Sequence, residues 1–167
     1  MARLLKRLAF WQWRKEKRLL LEGLREHFER DFLTAYDFYQ VQCTDYISLA
    51  EYNTEKINYV QCWADESLDP KNPTPDPEQA AAIGAVDGNV QVIARAGSGK
   101  TATLVNRAVF LQQHCGVDAD ELLLLAFNKK AAEEMKERIG TLSHVMTFHA
   151  LAYTLAKHTQ HLSLIHI

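Results

Sequence analysis

The sequence predicts an α/β fold, a parallel sheet with helices, preceded by an α-helical N-terminal segment. Three observations carry that prediction. From about residue 81 onward, short apolar runs alternate with helical patterns, the order that builds parallel strands joined by crossover helices. Between one such run, Val90, Val92 and Ile93, and a helix predicted over 102–111 lies a glycine-containing loop, Ala94-Arg95-Ala96-Gly97-Ser98-Gly99-Lys100-Thr101. From Ala2 to about Gln40 there is no proline and only Gly23, with apolar residues at mixed helical spacings.

In chain order, the first forty residues read as one long helix or two. Their Lys and Arg residues are interleaved with Trp11 and Trp13. That mixture could suit contact with nucleic acid or an anionic membrane, but the favoured reading is the solvated basic face of a helix that packs elsewhere. Residues 44–66 continue helical, because Tyr46, Leu49, Tyr52, Ile57, Val60 and Trp63 recur at three- to five-residue steps. Pro70, Pro73, Pro75 and Pro77, all the prolines of the chain, fall in 68–77, which reads as a linker between a helical segment 1–67 and a second domain.

Asp76-Pro77-Glu78-Gln79 is a helix start, with Asp at the N-cap, Pro at the first helical position and Gln placed for a capping box. The helix is predicted to run to Val86, and Asp87-Gly88-Asn89 turns the chain into the Val90 run. After the loop helix, 116–120 breaks the chain and 121–127 predicts a second, buried strand. Asn128 caps a helix that Gly140 ends, 144–147 predicts a third strand, and a last helix spans about 148–158.

The 47% hydrophobic content suffices for a core, and no apolar run is long enough to span a bilayer. Charged residues interrupt the N-terminus, so it has no signal-peptide core, and a cytoplasmic location with no membrane partner is expected. Cys43, Cys62 and Cys115 are odd in number and far apart, which indicates neither a disulfide framework nor a zinc site. The net charge of −2 conceals an asymmetry. Residues 1–30 carry nine basic and four acidic side chains, 31–80 two and ten, 81–167 eight and seven. Phosphate-backbone contacts must therefore come from local patches, the first thirty residues being the obvious one.

The loop specifies its own chemistry. Gly97 and Gly99 lack side chains, so backbone N–H groups can close around phosphate oxygens at the positive end of the following helix. Lys100 is positioned to reach the β- and γ-phosphates, and the Thr101 hydroxyl to ligate Mg²⁺, which makes a nucleoside triphosphate with Mg²⁺ the expected ligand. Ala94 stands where the pattern G-x-x-x-x-G-K-[ST] has its first glycine.

Four blocks together resemble the UvrD/Rep-type superfamily 1 DNA helicases, helicase IV-like members in particular. Pro75-Asp76-Pro77-Glu78-Gln79 with Ala82-Ile83 is similar to the Q motif, which implies that Gln79 reads the adenine. A carboxamide pairs donor and acceptor with adenine N6 and N7, and Gln79 is also the capping-box residue. Pro75 stands where the family usually has Leu. The loop is the second block, and Ala in place of its first glycine is common in the family. Leu124 to Met135 is similar to the motif Ia region and Thr147-Phe148-His149 to the Thr-Phe-His motif, both beside the DNA track.

The resemblance implies an incomplete P-loop NTPase domain of the RecA-like kind over 75–161, with the nucleotide held by Gln79 and by Ala94, Arg95, Ala96, Gly97, Ser98, Gly99, Lys100, Thr101 and Ala102. Lys100 and Thr101 take the catalytic roles, and Phe127, Asn128, Lys129, Thr147, Phe148 and His149 the contacts to single-stranded or partly duplex DNA. It also implies an ATP-dependent helicase moving 3′ to 5′. The Asp-Glu pair that would hold Mg²⁺ and activate water, and the arginine finger, have no counterpart here, so the chain reads as an N-terminal fragment inactive alone. Residues 162–167 match nothing in the family and read as a non-native tail. The competing readings are a non-motor P-loop protein, such as a nucleotide kinase or switch module, and an interaction module built on the basic N-terminal helix.

Overall fold

The structure is a computed structural model that describes residues 2–68, 74–95, 97–139 and 144–163, with side chains described between 7 and 157. It is mostly helical with one small parallel sheet, and the chain divides into two compact units, 1–110 and 111–167.

In the first unit, α1 (Ala2–Arg30) buries Leu24 and Phe28 one turn apart, and the chain then turns through a 3₁₀ segment, Phe32–Thr34. Helix α2 (Ala35–Phe38) widens into a π-helical turn, Tyr39–Cys43, which buries Tyr39 and Cys43. Burial pushes the Cys43 thiol and the Tyr39 phenol above their ordinary pKa values. Helix α3 (Leu49–Ser67) begins where Ser48 forms a full capping box with Glu51, so the helix predicted from 44 starts five residues later, after a turn. Its buried face is Tyr52, Lys56, Val60, Trp63 and Ala64.

Aromatic rings dominate this core. Phe28 meets Phe32 and Tyr52 at 5.5 and 5.8 Å between centroids, and Tyr39 meets Tyr52 at 4.5 Å. Phe110 takes edge-on contacts from Phe32 and Trp63 at 4.8 and 4.7 Å. The one cation described within it, Lys56, lies over the Phe32 and Tyr52 rings and pairs with Asp87 at 2.5 Å.

Helix α4 (Pro77–Ile83) packs on α3 through Gly84. A Cβ there would come within 2.8 Å of Val60 Cγ2, so only glycine allows this approach. The helix predicted to reach Val86 ends at Ile83, because Arg107 donates to the Ala82 and Ile83 carbonyls at 2.8 and 3.1 Å, taking up acceptors a further turn would have used. Residues 69–73 of the proline segment fall outside those described.

The strand predicted at Val90–Ile93 is not formed. The side chains of Val90, Val92 and Ile93 are 48%, 50% and 88% exposed, and no described residue supplies the ladder hydrogen bonds that would make an extended run a strand. Helix α5 (Lys100–Gln113) follows the loop and starts two residues earlier than predicted.

The second unit is a βαβ unit. Strand β1 (Leu124–Ala126) is shorter than the predicted 121–127, because Ala119–Glu121 forms a 3₁₀ turn and Leu122 and Leu123 lie outside the ladder. It pairs in parallel with β2 (Val145–Thr147), Leu124 opposite Val145 and Ala126 opposite Thr147. Helix α6 (Lys129–Ile139) connects them and buries Ala132, Met135 and Ile139, a stripe at three- and four-residue steps that covers the sheet. Helix α7 (Phe148–Ser163) follows β2 directly. Gly140, predicted to end α6, lies outside the described residues, as do 164–167 of the predicted tail. No helix among the described residues is long and apolar enough to cross a membrane.

Candidate functional site

The residues read as nucleotide-binding converge in the first unit. Asp76 Oδ1 accepts from the Gln79 backbone N–H at 2.8 Å, and Gln79 Oε1 accepts from the Asp76 N–H at 3.1 Å, so the predicted capping box is present. The other end of the Gln79 amide reaches out of the helix, and Nε2 donates to the Ser98 carbonyl at 3.2 Å. One side chain thus closes a helix start and holds the loop.

The loop itself is bent by two glycines in the left-handed region, Gly97 at φ +80° and Gly99 at φ +78°, where a side chain would be strained. A Cβ on Gly97 would meet nothing within 4 Å, while one on Gly99 would stand 3.0 Å from Gln79 Nε2. Ser98 N–H donates to Arg95 O at 3.3 Å, closing the turn, and Thr103 anchors it through its hydroxyl to Gly99 O at 3.1 Å. Lys100 opens α5 and its ammonium folds back on the loop, donating to Ala94 O at 2.8 Å and Arg95 O at 2.6 Å. Thr101 and Ala102 follow in the first turn, half-buried, and Ala96 lies outside the described residues.

Gln79, Ala94, Ser98, Lys100 and Thr103 line a concavity of about 110 Å³, and a neighbouring one of about 300 Å³ shares Lys100 and Thr103 and adds Arg107. The larger hollow of about 490 Å³ beside Lys56 and Asp87 is less suited to phosphate, because its cation is already neutralised by the carboxylate 2.5 Å away. Arg107 went unread in the sequence. It ties the middle of α5 to the end of α4, and its only signal is that it is the lone charge of α5 after Lys100.

The residues read as DNA-contacting converge in the second unit, at the carboxyl end of its sheet. Ala126 and Thr147 are register partners, so Phe127 and Phe148 each stand one residue beyond a paired position on neighbouring strands. Both rings are exposed, at 85% and 56%. Asn128 caps α6, its Oδ1 accepting from Ala131 N–H at 2.8 Å, and Thr147 caps α7, its Oγ1 accepting from Ala150 N–H at 3.2 Å. Two helices therefore begin side by side, presenting their positive ends with Lys129 and His149 exposed in the first turns. Exposed aromatic faces, helix N-termini and a cation are what a single strand's bases and phosphates require.

A profile of the UvrD/REP helicase N-terminal domain matches residues 75–166. Among curated proteins, the chain is 46% identical to DNA helicase IV of Escherichia coli over 82 residues, which cover 46% of this chain and 12% of that protein. It is 39% identical to the ATP-dependent DNA helicase Rep of the same organism over 90 residues, 49% of this chain and 13% of that one. A 39% identity over 88 residues, 48% of the chain and 12% of the relative, links it to the ATP-dependent DNA helicase PcrA of Leuconostoc citreum. The matched part thus spans about an eighth of these relatives' length. No solved structure matches the chain.

Proposed function

Since the chain belongs to the UvrD/REP helicase N-terminal domain family, we propose that it is the nucleotide-binding and strand-contacting start of an ATP-dependent DNA helicase, with a P-loop NTPase core of the RecA-like kind. The observation that carries the reading is the left-handed Gly97-Ser98-Gly99 turn, bonded to Gln79 on one side and running into Lys100 and α5 on the other.

The residues fit ATP with Mg²⁺. The bend at Gly97 is open enough for an anion to approach backbone N–H groups, and the start of α5 adds its dipole. The Lys100 ammonium already lies against the loop, and exchanging two neutral carbonyls for phosphate oxygens replaces ordinary hydrogen bonds by charge-assisted ones. Thr101 would hold Mg²⁺ through its hydroxyl, and the ion supplies charge neutralisation on the phosphates. Gln79 would turn its amide to the adenine edge; Nε2 would then leave Ser98 O, so base recognition and loop position are coupled through one side chain.

Phe127 and Phe148 would stack on bases, while Asn128, Lys129, Thr147 and His149 with the helix N-termini contact phosphates. Hydrolysis needs an acid for Mg²⁺ and water that these residues do not include. Glu133, Glu134 and Glu137 lie on α6, away from the carboxyl end of a strand, so this chain alone binds ATP and turns it over negligibly. The test is calorimetry with ATP, GTP and adenosine: preference for ATP over both supports the reading, and equal affinity for adenosine and ATP would remove the loop from it.

A further inference from the structure

The first helix carries a feature the nucleotide and strand sites do not use. Of its two tryptophans, Trp13 is engaged, stacked on Tyr46 at 6.3 Å between centroids, with Lys17 over its ring and paired to Glu51. Trp11 is turned outward and 64% exposed, and it has no ring stacking among the described residues. At helical spacing its neighbours are Arg7, Arg14, Lys15 and Arg18, four, three, four and seven residues away, so its face is ringed by cations. Trp11, Arg14, Lys15 and Arg18 together line one shallow concavity, with the Lys15 ammonium 6.0 Å from the indole centroid. The acidic neighbour is Glu22, 3.8 Å from Arg18 at the far edge.

An indole available for stacking inside a ring of phosphate-binding cations is a binding element for a single-stranded polynucleotide. A membrane-surface helix instead segregates its apolar side from its charges. Here the exposed Leu8, Phe10, Trp11 and Trp13 spread over more than half of the circumference at about 100° per residue, with the cations between them. We propose that Trp11, with Arg7, Arg14, Lys15 and Arg18, forms a second single-strand contact, in which one base stacks on the indole and the flanking phosphates are held by the cations. No group there is aimed at a 2′-hydroxyl or a particular base edge, so DNA and RNA strands bind alike.

The test uses the whole 167-residue chain carrying Phe127→Ala and Phe148→Ala, which removes the rings of the other contact, and fluorescence anisotropy with labelled dT20 and U20. Trp11→Ala should weaken both about tenfold, and Trp11→Phe, which keeps a ring, should stay within about threefold of the parent. Replacing Arg14, Lys15 and Arg18 by Gln should lower the slope of log affinity against log salt by about two. The proposal is overturned if the parent binds neither strand or Trp11→Ala binds as well as its parent. It is equally overturned by a tenfold preference for dT20 or U20, or if Trp11→Ala loses only binding to phosphatidylglycerol vesicles.

Discussion

Gln79 Nε2 and the Ser98 carbonyl oxygen are joined by a 3.2 Å hydrogen bond, so the helix α4 start and the glycine loop are held by one amide whose other end caps the helix. Gln79→Ala removes the donor to Ser98 and half of the capping box together. The expected result is loss of preference for ATP over GTP with ATP itself weakened by a hydrogen bond's worth, roughly 1 kcal/mol. Competition binding with the two nucleotides measures it, and an unchanged preference would mean that another group reads the base.

Phe127 and Phe148 are exposed, outside the buried residues of the second unit, so truncating them spares its core. Phe127→Ala and Phe148→Ala should each cost roughly 1–3 kcal/mol in single-strand binding without lowering the melting temperature. Affinity that follows stability, instead of ring size, would count against stacking.

The Lys56–Asp87 pair is a polar element in a largely aromatic and aliphatic core, with side chains 11% and 29% exposed. Asp87→Asn leaves the Lys56 charge over two rings without its carboxylate, and urea unfolding should show a loss of roughly 2–4 kcal/mol. Replacing both by apolar residues of similar volume should restore most of it. If the single substitution were neutral, the pair would be a surface contact.

Glu51 predicts a pH dependence. Its hydrogen bonds from Lys17 first, and from the Ser48 backbone and hydroxyl, hold its pKa at about 2, below the ordinary 4.5. A carboxylate depressed in the folded state lends stability above the unfolded value and loses it as pH falls. The advantage of the parent over Glu51→Gln should therefore be constant above pH 4.5 and shrink between 4.5 and about 2. A difference that grew on acidification would reverse the assignment.

What the sequence made legible was local. Capping boxes and N-caps at Asp76 and Asn128 are decided within four residues, and both stand as read. The glycine loop was legible because left-handed φ at Gly97 and Gly99 is a property of the residue type. Val90–Ile93 misled because a β-branched run states a preference that only a paired neighbour realises. Arg107 and the Gln79–Ser98 bond were out of reach, each joining groups 19 or more residues apart by a contact no periodicity announces. The two tryptophans of α1 could be told apart only in the folded chain, where Tyr46 covers one and not the other.

The most direct test of the nucleotide site is calorimetry of ATP binding to the chain and to Lys100→Ala. The Lys100 ammonium donates to the exposed loop carbonyls of Ala94 and Arg95, so its removal leaves the fold intact and isolates the phosphate contact. The account predicts ATP affinity falling about ten- to a hundredfold, the worth of a charged hydrogen-bond donor, with adenosine affinity unchanged. ATP affinity equal to the parent's would contradict it.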